Sequence, residues 1–324
     1  MKSLRNIIIL LVVTCLNQVA YANPEVAKAA LKRLLDSYTA VETYRPTLGI
    51  ELEGSFPGKT RKQAFDKVES IIQEKVAPII HPGAVVTLER YSFKTARNEP
   101  RGGTKVIFTK KTGEVIVWEV KDDGSIKPTK KHHIGVEVVS PILHTESDVK
   151  GAETLIQMLA EAGFDAEPAS AALQVHAGFS LDGKKVPAVG ITKSEMTAQT
   201  LLLVWFFSKI EKEMMEHFKI HPDRAHFSKP TPPGILQLIS TNAVNIEKTD
   251  LNEFIEKNYD YKYWALNVRA LFRFGTFEIR FMNSTTDTVA IDQLVELAIA
   301  ISSGVKTKNP ALIKLMNDNI ESEI

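Results

Sequence analysis

The chain has 324 residues, 44% of them hydrophobic, and its 40 Lys and Arg offset 39 Asp and Glu to a formal net charge of +1. That balance gives no electrostatic reason to expect a nucleic-acid partner, and the length can bury a large core in one big domain or two. The one cysteine, Cys15, lies in an apolar leader, so the remainder has no disulfide, thiolate metal ligand or cysteine nucleophile.

The leader has the layout of a secretory signal. Lys2 and Arg5 give a basic start, an apolar run covers 7–13, and Ala20-Tyr21-Ala22 supplies the small-x-small cleavage pattern. The expectation is a signal peptide over 1–22, a mature chain from Asn23, and a secreted or periplasmic location. Thr14 before Cys15 makes a poor lipoprotein box. The leader run is too short for a stable membrane helix, and no later segment reads as long and apolar enough to span a bilayer.

An N-terminal segment over 23–46 follows, with a helix over 23–43 whose stripe is Val26, Ala29, Leu31, Leu34 and Leu35. "PTLGIELEG" reads as a strand. Thr60-Arg61-Lys62-Gln63 fits a capping box that opens a helix. Strands are predicted near 84–92, 104–109 and 114–120, a tight turn at "DDGS" (122–125), and a basic loop at "KPTKKHH". "GVEVVSPI" and "ALQVHAGFS" read as strands, 147–162 as a helix, and 193–218 as a long helix. "TFEIRFM" (276–282) is the last predicted strand. Helices over 288–303 and 306–324 end the chain. Strands broken by helices without a steady βαβ rhythm predict an α+β fold with a mixed or antiparallel sheet.

One pattern recurs along these strands. In "LGIELEG", Leu48, Ile50 and Leu52 share one face, and Glu51 and Glu53 the other. Val136 and Val138 oppose Glu137. Leu173, Val175, Ala177 and Phe179 oppose Gln174 and His176. Phe277, Ile279 and Phe281 oppose Glu278 and Arg280. A half-solvated sheet shows the same alternation. Such a sheet would carry Lys, Thr and Ser outside as well, whereas these faces give four glutamates, a histidine and an arginine. Side chains two apart on a strand lie ~6.6 Å apart. Glu51 and Glu53 can therefore serve one cluster of hard divalent ions. Both readings stand at this level.

Other signals are weaker. "GSFPGKT" (54–60) has three residues between its glycines where a P-loop needs four, so it reads as a strand-to-helix turn. Ser180 lacks the glycine of a nucleophile elbow. His132 and His133 read as solvated loop residues, His217 and His221 as helix-end residues, and Trp118 and Trp205 as core.

"GIELEG", "DDGSI…GVEVVSPI", "QVHAGF", "HPDRAHF" and "ALNVRALFRFGTFEIRFMNSTTD" occur in that order. The ordered set resembles the amidoligase family of the carboxylate–amine ligase superfamily, which includes glutamine synthetase. The resemblance spans roughly 47–305 and is strongest at Asn267, Gly275-Thr276 and Glu278-x-Arg280. It implies a curved, largely antiparallel sheet of glutamine synthetase-like type, with helices on its convex side and a catalytic domain over 47–305. It further implies ATP with Mg²⁺ or Mn²⁺, and small-molecule or peptide carboxylate and amine substrates. Glu51, Glu53, Glu137, His176 and Glu278 would be metal ligands. Arg280 and Arg224 would be catalytic, and Arg280, Asp123, Ser125 and Asn267 would hold the nucleotide. The family's paired histidines appear here as Gln174-Val175-His176, so one is replaced by glutamine. An exported ATP-dependent ligase is the leading expectation. A non-catalytic exported binding protein on the same fold, and a metal-dependent amide hydrolase, are the alternatives.

Overall fold

The computed structural model describes residues 24–94, 98, 100–167, 169–179, 192–226, 228–231, 235–243, 246–258 and 264–322. The signal-peptide expectation, Asn23 and Ser180 lie outside these. Eight strands form one open sheet in the order β2-β3-β4-β5-β1-β6-β8-β7. They are β1 (Leu48–Pro57), β2 (Val85–Lys94), β3 (Pro100–Thr109), β4 (Val115–Asp122), β5 (His133–Val139), β6 (Leu173–Gly178), β7 (Leu266–Asn267) and β8 (Thr276–Ile279). Every neighbouring pair is antiparallel. The α+β expectation holds.

The alternation read from the sequence fixes which face is buried. Ile50, Leu52, Val106, Val120, Val136, Val138, Leu173, Val175, Phe277 and Ile279 all lie in the core. The helices are α1 (Pro24–Asp36), α2 (Arg61–Ser70), α3 (Glu146–Glu161), α4 (Lys193–His217), α5 (Ile235–Ala243), α6 (Leu251–Asn258), α7 (Ala270–Phe274), α8 (Thr288–Lys306) and α9 (Pro310–Ser322). α2 packs on β1, β3, β4 and β5, and α8 on β6 and α4. Each large apolar side chain removed from water stabilises this stack by ~1.5–3 kcal/mol. Trp118 and Trp205 belong to the core, as expected.

Local chemistry explains most boundaries. Thr60 caps α2 by accepting from the Gln63 N–H at 3.3 Å, and the Gln63 side chain reaches back to the Lys59 N–H at 2.9 Å. Thr145 and Thr192 open α3 and α4 with full capping boxes. Past Ser70 the helix widens into a π turn over Ile71–Val76 before a last turn at Ala77–Ile80. Pro78 lacks an N–H and crowds the carbonyl four residues back, which disrupts the regular ladder there. "GSFPGKT" is the end of β1 and the turn into α2. A Cβ on Gly58 would sit 2.8 Å from the Ala64 N, so that close turn needs glycine.

Several expectations are corrected. α1 stops at Asp36, and its buried stripe is Ala27, Ala30, Leu31 and Leu34, with Val26 exposed. The packing direction was set by α5 and α4, which the periodicity of α1 alone does not contain. β8 ends at Ile279, short of the predicted 282, although the Arg280 N–H still donates to the Ala265 carbonyl at 2.9 Å in register with the β7–β8 pairs. Lys306 closes α8, and the last helix begins at Pro310. His133 begins β5, with Nδ1 3.0 Å from the Ser55 Oγ. α8 itself is long and apolar enough to cross a membrane, with a mean hydropathy of 1.4 over its window, contrary to the sequence reading. Ile291, Leu294, Ala298 and Ile301 are buried within the fold, which accounts for that apolar character.

Candidate active site

The register places the polar residues on three short rungs. Glu53 pairs with Glu137, and Glu137 with Lys121, across β1, β5 and β4. One step along, Glu51 pairs with Gln174, and His176 pairs with Glu278, which pairs with Asn267. Strand pairing thus joins residues over 100 positions apart, as in Glu51–Gln174 and His176–Glu278. A cleft of about 480 Å³ opens over these rungs. Glu51, Glu53, Asp123, Ser125, Glu137, His176, Arg224, Asn267, Glu278 and Arg280 all line it, so every candidate from the sequence is brought to one cavity.

Each carboxylate is held by its own partners. Glu51 Oε1 lies 3.2 Å from His176 Nε2. Burial alone would raise the Glu51 carboxyl, but the His176 contact and charge, with Lys121 beyond, hold it below the usual carboxylate range. Burial likewise works against charged His176, yet Glu51 and then Glu278 leave the imidazole more basic than usual. Glu53 accepts from the Ala172 N–H at 2.8 Å and the Gln174 Nε2 at 2.5 Å. Burial, and secondarily Asp123, push its carboxyl up to about 7 against the pull of Arg224 and Arg280. Glu137 pairs with Lys121 Nζ at 3.0 Å. Burial and then the neighbouring Glu51 charge still push it upward.

The cationic end is built from two arginines. Arg280 donates to Glu278 Oε1 at 2.9 Å, and Asn267 Nδ2 donates to Glu278 Oε2 at 2.6 Å. Arg224 is 1% exposed, and its Nη2 donates to the Arg280 carbonyl at 3.3 Å. Burial lowers it to about 10, with Glu53 opposing and Arg280 adding to the effect. Asp123 Oδ1 accepts from the Ser125 N–H at 2.7 Å, which fixes the turn at the cleft edge.

Sequence reasoning missed part of the wall. Ser170, Arg269, Ala270 and Phe274 line the same cleft, and Lys121 neutralises Glu137 from below. Lys121 was findable, since it sits two residues before Asp123 on the polar face of a predicted strand. Arg269 was not, because it lies on no alternating segment.

The candidate metal ligands fit a divalent cation in chemistry. The Glu53 and Glu137 carboxyls are pushed toward neutrality by desolvation and by other carboxylates, a condition that a cation among them would relieve. Among the described residues, no three His, Cys, Asp or Glu side chains stand together as a ready ligand cluster. A cation would have to draw these carboxylates away from Lys121, Gln174, Asn267 and Arg280.

A search of curated proteins returns no match. A family model described as "Putative amidoligase enzyme" matches residues 45–302, which takes in the whole sheet and the cleft. The chain belongs to the amidoligase family.

Proposed function

We propose that this chain is an exported, ATP-dependent ligase that joins a carboxylate to an amine through an acyl phosphate, on a glutamine synthetase-like sheet. The observation that carries this reading is the single cleft with two guanidinium groups at one end and a row of carboxylates along its floor. A phosphoryl transfer needs fixed positive charge where the transferred group develops negative charge. Arg280 supplies it as a planar fork oriented by Glu278, and buried Arg224 stands behind it with little freedom to move. Asp123, Ser125 and Asn267 border the space for the nucleotide.

In the first step the substrate carboxylate takes the γ-phosphoryl group and ADP leaves. In the second the amine attacks the acyl carbon and inorganic phosphate leaves. The amine must shed a proton in that step. Glu137 lines the cleft, and burial with the neighbouring Glu51 charge pushes its carboxyl upward, which makes it the group to accept that proton. Mg²⁺ or Mn²⁺, held by members of the set Glu51, Glu53, Glu137, His176 and Glu278, would screen the phosphates. Neither step requires a side-chain nucleophile.

One observation favours a second reading, an exported binding protein without turnover. Gln174 stands at a position of the family's histidine pair and ties down Glu53, so that this carboxylate is already satisfied. A thermal-shift series with ATP and ADP, each with Mg²⁺ or Mn²⁺, separates the two. A nucleotide at 100 times its Kd stabilises the native state by about 2.7 kcal/mol. The ligase reading expects a metal-dependent rise in the midpoint with ATP. No rise with any nucleotide and metal combination leaves the binding protein in its place.

A further inference from the structure

A second cavity, of about 280 Å³, opens against the first. Glu51, His176 and Phe274 belong to both, whereas Arg224, Arg280, Asp123 and Ser125 border only the first. The second is walled by the start of β1, by Pro141 and Ile142 after β5, and by the Gly275-Thr276 entry to β8. Its surface is almost entirely apolar.

The polar groups in that wall are engaged within the protein. Ser140 Oγ accepts from the Ile50 N–H at 2.8 Å and donates to the Pro141 carbonyl at 2.8 Å. Thr276 Oγ1 lies 3.3 Å from His176 Nδ1. A polar or charged occupant would lose its water and gain few partners, a cost of roughly 1–3 kcal/mol per group. Ile142 and Phe274 line the cavity although they are 63% and 58% exposed, so two large apolar side chains face solvent at its edge. At Gly49 the wall is recessed: an added Cβ would meet only the His176 Cβ, at 3.6 Å.

We propose that this cavity receives the aliphatic part of the amine substrate, with its ammonium group at Glu51 on the boundary between the two cavities. The assignment rests on the ligase reading for the word substrate, and on charge for the choice of partner. Glu51 is the one carboxylate that lines both cavities; its Oε1 faces His176 Nε2 at 3.2 Å, which leaves Oε2 to accept from an ammonium, while Arg224 and Arg280 border only the first cavity and favour the acid and the phosphates. The substrate class is a primary amine with a compact aliphatic side chain, of the kind a leucine-like residue carries. Acidic and basic side chains are excluded, because their charged ends would be desolvated without a partner.

The test measures binding, so it does not depend on turnover. Calorimetry on the full mature chain compares leucinamide, lysinamide and 4-methylpentanoate, which carries leucine's side chain on an acid. It is run with and without ATP and Mg²⁺. The expected result is that leucinamide binds at least about tenfold more tightly than either comparator. Gly49→Leu fills the cavity and should weaken leucinamide at least about tenfold, with ATP affinity kept within about twofold. Ile142→Lys places a cation at the exposed edge and should do the same, which keeps the test valid if Gly49→Leu fails to fold. Equal or tighter binding of the acid overturns the proposal, as does leucinamide binding that both variants leave unchanged. If Gly49→Leu loses ATP and keeps leucinamide, the cavity holds the nucleotide base and the proposal is overturned. Absence of ATP binding to the wild type defeats the ligase reading alone, since the amine preference is also read without nucleotide.

Discussion

Glu53 and Glu137 face each other directly across the β1–β5 pair, a buried and a half-buried carboxyl at one rung of the sheet. Like charges opposed in this way are destabilising. The protein accommodates them by placing Lys121 on the far side of Glu137 and Gln174 on Glu53, and by leaving both carboxyls reluctant to ionise.

This arrangement sets a pH dependence. The Glu53 carboxyl is pushed up to about 7 in the fold from an ordinary 4.5, with burial as the main cause. The unfolded chain therefore gives up this proton first as pH rises, and the native state is favoured below about 4.5 and loses that advantage as pH climbs through about 7. Glu137 shifts in the same direction. Glu53→Gln should narrow the difference in melting midpoint between pH 5 and pH 8 by roughly 2–4 °C. Parallel midpoint curves for the variant and the wild type would show that Glu53 contributes nothing to the slope.

Divalent ions should act on the same slope. Adding Mg²⁺ or Mn²⁺ at pH 8 is expected to raise the wild-type midpoint, because a cation removes the repulsion that rising pH creates. Glu137→Gln should weaken this response at least about tenfold in apparent affinity, since even the outer partners of metal ligands are worth about 10–100-fold. A metal response equal in the variant would take Glu137 out of the ligand set.

Glu278 and Arg280 answer differently to substitution. Glu278 holds both Asn267 and Arg280, so Glu278→Gln removes an ion pair from a buried site and should cost about 1–3 kcal/mol of stability. Charge counting along the strand alone would expect no such loss. Arg280→Lys keeps the charge and loses the fork. Its ATP affinity should fall at least about tenfold, with a smaller loss of stability than in Glu278→Gln. Urea midpoints and nucleotide titrations of the two variants decide this. Unchanged ATP affinity in Arg280→Lys would remove Arg280 from the phosphate site.

Gly54 tests the packing behind the site. A Cβ there would lie 2.2 Å from the Phe164 ring and 2.5 Å from the Asp165 carbonyl. Gly54→Ala must therefore shift the 164–165 segment away from β1, at a cost of roughly 1–3 kcal/mol. A urea midpoint within error of wild type would contradict that contact.

Export is read from the N-terminal sequence. Intact-mass analysis of protein from the periplasm or medium should give a chain starting at Asn23. A retained Met1, or a lipid on Cys15, would replace the cleavable-signal reading.

The sequence alone determined which side of each strand is buried, because alternation is a local property of a pleated backbone. That was enough to select Glu51, Glu53, Glu137, His176, Glu278 and Arg280 and to place their apolar partners in the core. Asp123, Ser125, Arg224 and Asn267 came from ordered motifs, since none of them lies on an alternating run. The helix start at Thr60 was likewise local, set by one side chain and the N–H groups just ahead of it; Thr145 and Thr192 use the same device, which the sequence reading did not pick out. Only the tertiary structure decided who faces whom. The order β5-β1-β6-β8 brings together strands distant in the chain, and no single strand records its neighbour. The pairing of Glu53 with Glu137 and the Lys121 and Gln174 partners follow from that order. So does the apolar cavity behind Glu51, because it is walled by segments of β1, β5 and β8 that meet only once the sheet has formed.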